Sequence, residues 1–246
     1  MKGNASKIIT IIVLIIIALF GVSRYQKSKA HRNLAKQISA VGSENSPVTV
    51  EDLRAAIAAH EKQIELYVET AARTGLYWKI LASRLQDRGL HGEALEALQR
   101  AIYYLPEDAA LHYNTGISAG ILAKSFHAFP GMENPERQRY YDLAEQAFLR
   151  AIGLDSRYLR PRYSLGVLYV FELDRPEDAI PHLEKCLEIS RSDIDTMFVL
   201  ARAFFMIRDF QAAVDLYDRI IIICGDERRR NEAQENRQFT LGQMNG

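Results

Sequence analysis

The residues that could do chemistry are few and scattered. The chain has six histidines and two cysteines among 246 residues. His60, His112 and His182 fall singly in helical patterns, His91 and His127 in turns, and His31 in a basic stretch near the N-terminus. Only His182 has a second soft ligand one helical turn on, Cys186 at i+4. A zinc site wants three or four ligands, so this pair does not make one. Neither Cys186 nor Cys224 has a CxxC partner, which removes zinc-ribbon and thioredoxin chemistry. Both sit beside apolar residues and read as small buried hydrophobes. The adjacent carboxylates Glu177 and Asp178 stand at a helix start, where they suit the dipole better than acid–base catalysis. No nucleophile elbow, P-loop, HExxH, EF-hand loop or GxGxxG is present. The chain reads as non-enzymatic, with no catalytic residue, metal or cofactor.

Charge narrows the partners. Residues 1–36 hold seven Lys or Arg and no Asp or Glu, while residues 37–246 hold 24 basic and 31 acidic residues. An acidic body does not suit nucleic acid.

The elements that would position any site begin with an apolar run, Ile8–Val22, between Lys7 and Arg24. In helix it spans about 22 Å, short of the ~30 Å bilayer core, and the stems of Lys7 and Arg24 would close much of the gap. Gly21-Val22-Ser23 offers a small-x-small cleavage triplet, but the basic residues after it favour an uncleaved anchor. This implies a single-pass membrane location. Its side stays open: the positive-inside count keeps the body in the cytoplasm, whereas short N-terminal anchors often translocate the domain behind them. The organisation expected is an anchor over 1–23, a basic segment and linker over 24–48, a helix over 49–74 capped by Thr49, a repeat region over 75–227, and a polar cap or tail over 228–246.

The repeat region declares itself by small residues. Ala82, Gly116, Gly166 and Ala201 form one series, and Ala94, Ala144, Ala179 and Ala213 a second. Both fit a unit of about 34 residues only with the same two insertions, a long one at about 124–139 and a single residue later. Asn134-Pro135 is a helix start, so both helices of the second unit lengthen, from about Asp108 to Phe126 and from Pro135 to Leu154, around an apolar loop at 127–133.

The units resemble the tetratricopeptide repeat. Its pattern is met by Trp78, Leu81, Ala82, Ala94, Leu98, Ala101 and Pro106; by Gly116, Ala144, Phe148 and Ala151; by Leu165, Gly166, Tyr169, Ala179 and Leu183; and by Leu200, Ala201, Phe204, Ala213, Tyr217 and Ile220. His112 and Thr115 stand where large apolar residues belong, Pro181 lies inside a second helix, and only Pro106 keeps the boundary proline. The resemblance implies an all-α, right-handed solenoid of four helix pairs behind an N-terminal transmembrane helix. It further implies a groove lined by the first helix of each pair that holds a protein or peptide. By register the groove residues are Lys79, Ser83 and Gln86; Tyr113, Asn114 and Ile117; Arg160, Tyr163, Val167 and Val170; and Phe198, Arg202 and Phe205. Lys79, Tyr113, Asn114, Arg160, Tyr163, Phe198 and Arg202 are the partner-binding candidates, since aromatics and arginine dominate interfaces. Lys79, Asn114 and Arg160 also match three of the five positions of a carboxylate clamp, with Ser83 and Ser164 at the other two. The expected role is a membrane-tethered adaptor in an envelope-associated assembly of the bacterial inner membrane. The rival is an accessory of a transport system that encloses a small molecule or lipid near Ile117, Ile121, Val167 and Phe171. Self-association through terminal faces is a further expectation.

Overall fold

The computed structural model describes residues 49–126 and 134–244. The apolar run at 8–22 and the loop at 127–133 lie outside them. Among the described residues there are nine α-helices and no strand, and no helix is long and apolar enough to cross a membrane. The chain divides into two compact units, residues 1–67 and 68–246. The described part of the first unit is the opening of helix α1 (Val50–Asp87). Thr49 and Asp52 cap it reciprocally: the Asp52 amide donates to Thr49 Oγ1 at 3.1 Å, and the Thr49 hydroxyl donates to Asp52 Oδ2 at 2.7 Å.

The helix expected over 49–74 does not stop there. It continues to Asp87, because Gly75 serves packing rather than termination. A Cβ on Gly75 would meet Leu105 Cγ and Tyr104 Cβ at 2.8 Å. The second unit then pairs helices in order. Residues 75–87 of α1 pack on α2 (His91–Tyr104), α3 (Ala109–Ser125) on α4 (Pro135–Leu154), α5 (Leu159–Phe171) on α6 (Pro176–Ile189), and α7 (Ile194–Met206) on α8 (Phe210–Ile223). A last helix, α9 (Glu227–Met244), lies on α8.

Local chemistry explains the punctuation. Asp108 caps α3 through the Ala110 amide at 3.0 Å, Asn134 caps α4 through Glu136 at 3.0 Å, and Asp193 and Asp209 cap α7 and α8. Within three of the pairs the chain turns on one left-handed residue, Gly89 (φ 73°), Asp174 (φ 51°) or Arg208 (φ 65°). The residue after each bonds back into the helix it leaves: Leu90 to the Leu85 carbonyl, Arg175 to Tyr169 and Asp209 to Phe204, each at 2.9 Å. Between pairs a second turn repeats, with Asp108 bonded to Leu105, Tyr158 to Asp155 and Asp193 to Ser190. The boundary proline is dispensable because backbone bonds make this turn. Helix α6 runs on through Pro181, which is exposed.

The small-residue series are where paired helices touch. A Cβ on Gly116 would lie 2.4 Å from the Phe148 ring, and one on Gly166 would lie 2.5 Å from Leu183. Ala82, Ala94, Ala144, Ala179, Ala201 and Ala213 are all fully buried. The core falls into two clusters. A large one runs from Ala119 through repeats two to four to Ala233 on α9, and a small one holds Ala82, Ala97, Leu98, Ala101 and Leu111. The seam between them is polar: buried Ser118 accepts from Gln86 Nε2 at 2.8 Å and lies 3.4 Å from His91 Nδ1. His112 and Thr115 depart from the repeat pattern beside this seam. His112 Nε2 lies 2.9 Å from the Pro106 carbonyl, and the Thr115 hydroxyl donates to the Leu111 carbonyl.

Candidate functional site

The first helices α3 and α5 lie side by side with an open groove of about 300 Å³ over their contact. Its floor is Gly116, Gly120, Ser164 and Leu168, and its walls are Ile117, Ile121, Tyr163 and Val167. Gly120 has nothing within 4 Å of where a Cβ would stand, so its missing side chain leaves room in the groove. Ile121, and Phe171 at the end of α5, are exposed. The groove is therefore a trough open along its length.

One end of the trough is an ionic knot around the half-buried Glu172. Glu172, which ends α5, receives Lys124 Nζ at 2.6 Å from the last turn of α3 and the Tyr141 hydroxyl at 2.5 Å from α4. Arg137 stands 3.7 Å away. Burial pushes the Glu172 carboxyl up, but bonds from Lys124 and Tyr141 and the charges of Lys124 and Arg137 outweigh it and hold it below its ordinary range. Burial and the bond to Glu172 raise the Tyr141 phenol. The knot ties α3, α4 and α5 together beside the long insertion. Sequence reasoning missed it, because its members lie on three helices and only an alternation of charge near helix ends could have hinted at it.

The candidates named from sequence are not one free surface. Lys79 is paired with Asp108 at 2.5 Å and so is committed within the array. Tyr113 packs on Phe148 and Tyr158, with ring centroids 6.1 and 5.4 Å away. Asn114 accepts from Gln86 Nε2 at 3.0 Å through its backbone carbonyl, not its side chain. Arg160 is exposed on the first turn of α5. Val170 is buried in the core and does not line the groove, since α5 turns that face toward its neighbours. Tyr163 lies on the trough wall, where burial and then Asp195 and Asp193 raise its phenol.

The fourth repeat is partly occupied by the chain itself. Arg229 of α9 lies 5.2 Å above the Phe198 ring and pairs with Asp195, while Phe239 of α9 packs on Phe205 at 5.6 Å. Arg202 stays exposed, 5.5 Å over the Phe205 ring. The polar C-terminal stretch is thus a helix that covers aromatic groove positions of α7.

His182 stacks near Tyr169, at 6.2 Å between centroids, and burial holds its imidazole below its usual range. Burial pushes the Cys186 thiol up to about 11, which suits a core position rather than a reactive one. Among the described residues no three potential ligands come together to hold a metal.

Known proteins carry the same architecture. A tetratricopeptide-repeat family model matches residues 159–193, which are helices α5 and α6. A TPR repeat-containing protein of Borreliella burgdorferi is 22% identical over 214 residues, covering 85% of this chain and 90% of that protein. Among solved structures, MamA (41-end) from Desulfovibrio magneticus RS-1 superposes with a TM-score of 0.54 at 14% identity, covering 70% of this chain and 92% of that one. YrrB, described as a TPR protein with an unusual peptide-binding site, superposes at 0.56 with 17% identity over 68% of this chain and 76% of its own. At these identities the structures speak to the fold alone. The repeated left-handed turn, the small-residue contacts and the family-model match on the third repeat agree on an array of tetratricopeptide-like repeats.

Proposed function

We propose that this protein is a membrane-tethered adaptor that holds a peptide segment of a partner protein in the trough between α3 and α5. The observation that carries the reading is the trough itself, open along its length and walled by Ile117, Ile121, Tyr163 and Val167. Such walls suit an apolar stripe on an extended or helical peptide. Arg160 at one border and Arg202 further along offer exposed cations to acidic groups on that segment. Repeat proteins bind through surfaces of this kind, and YrrB's described peptide site supports the same use here. The tether is the apolar run Ile8–Val22 with its basic flank, and the assembly served is one associated with the bacterial cell envelope.

The exposure of Ile121 and Phe171 argues against an enclosed small molecule, since ligand sites bury most of their occupant. The test compares proteins crosslinked to the full chain in native membranes with those crosslinked to an Ile121→Glu, Val167→Glu variant. The reading expects one protein to be lost from the variant alone. Identical recovery from both, with a lipid or small molecule retained by the wild type in native mass spectrometry, would favour the transport-accessory rival.

A further inference from the structure

The repeat itself shows which face of the array lacks a neighbour among the described residues. In repeats two to four, the second helix of the preceding pair covers the outer face of each first helix. The register positions of Tyr77 are Leu111, Pro161 and Thr196, and all three are buried. Those of Leu81 include Leu165 and Leu200, and those of Arg84 are Ser118, Leu168 and Ala203, again all buried. In the first repeat the same face is open among the described residues. Tyr77 is 72% exposed, Ile80 55%, Leu76 49% and Leu81 44%. The opposite face of α1 carries Gly75, Trp78, Ala82 and Leu85, which meet the rest of the repeat. The four exposed side chains present roughly 450 Å² of mostly apolar surface, the size of the largest patch on a typical monomer, which is often functional.

The charges around this patch favour a second copy of the same chain. Glu69 and Arg84 lie on the same face of the helix and are solvent-exposed. Among the described residues each is paired with a neighbour about one turn away, Arg73 and Asp87 respectively. They stand equally far, about 11 Å at 1.5 Å per residue, on either side of the midpoint between Leu76 and Tyr77. Two such helices packed antiparallel about that midpoint set Leu76 against Tyr77 of the other copy and bring each Glu69 opposite an Arg84. The patch is therefore self-complementary, as a two-fold interface requires. The apolar part is about half of the ~800 Å² that each partner buries in a standard interface, and the flanking polar residues supply the rest. We infer that two copies of this chain dimerise through this face, antiparallel, with Leu76 and Tyr77 at the centre and two Glu69–Arg84 pairs at the rim.

Full-length protein in mild detergent would be sized by sedimentation velocity at tens of micromolar, with circular dichroism as a check of folding. The wild type should be a dimer, and Tyr77→Glu, which sets two carboxylates beside the two-fold axis, should shift it to monomer while the helical signal and melting midpoint hold, because the site is exposed. Glu69→Arg and Arg84→Glu should each weaken the dimer at low salt, since each sets like charges together twice. Mixing these two variants should restore a dimer, because the hybrid has two attractive pairs and neither parent has any. That recovery cannot come from damage to a monomer. A wild type that stays monomeric overturns the inference, even if another protein takes the face. So does a dimer indifferent to Tyr77→Glu, or a mixture that fails to re-dimerise.

Discussion

Replacing Gly166 by alanine sets two known effects against each other. In a helix interior the change should gain about 1 kcal/mol, because alanine loses less backbone entropy. Gly166 is not a free position, however. The added Cβ would stand 2.5 Å from Leu183 Cδ2 and 2.6 Å from its Cγ, where carbon atoms prefer about 3.5–4.0 Å. Leu183 is fully buried in the large core cluster and has nowhere to retreat. Overpacking of this kind costs about 1–3 kcal/mol, so Gly166→Ala should lose about 1 kcal/mol net. Gly120 is the control: it lies inside α3, with nothing within 4 Å of a Cβ. Gly120→Ala should gain up to about 1 kcal/mol, separating the two variants by about 2 kcal/mol in urea unfolding. In a double-mutant cycle, adding Leu183→Ala to Gly166→Ala should cost less than Leu183→Ala alone, since the new methyl fills part of the cavity. Equal stabilisation by both glycine replacements would show that α5 and α6 do not meet as described.

Arg208 holds a left-handed φ of 65° where the first repeat uses Gly89; Arg208→Gly should therefore raise stability by about 0.5–1 kcal/mol in the same assay. The folded pKa of Glu172 lies below its ordinary 4.5, so its contribution is complete above that pH and is lost as pH falls through the lower folded value. The stability gap between wild type and Glu172→Gln, measured in urea, should therefore be wide at neutral pH and close on acidification. A gap independent of pH would mean the knot does not hold a charged carboxylate. The buried Cys186 thiol, pushed up to about 11, should resist alkylation at pH 8 until the array opens, as mass spectrometry of the labelled peptide would show.

The architecture was legible where chain geometry forces a residue type. Gly116 and Gly166 must be small because Phe148 and Leu183 press on them, and Asn134-Pro135 starts α4 because the cap and the proline ring demand it. Legibility failed where one residue type serves two ends. Gly75 resembles a helix stop but is a contact with Leu105, so α1 runs 38 residues without a break. At the site, register alone assigned Tyr163 and Val167 to the groove and also offered Val170, which is buried. Register could not show that Lys79 is committed to Asp108 or that Arg229 from α9 sits over Phe198. Those contacts join segments about 30 residues apart, and no local pattern encodes them.

The central claim is that the trough between α3 and α5 holds a polypeptide. The most direct measurement places a photo-crosslinking residue at Ile121, on the trough wall, in the full chain in its native membrane. A matched probe at Ile189, exposed at the end of α6, serves as control. The account predicts a discrete protein adduct from position 121 that is absent from position 189 and abolished by Val167→Glu. Adducts only to lipid from position 121, or the same proteins from both probes, would contradict it.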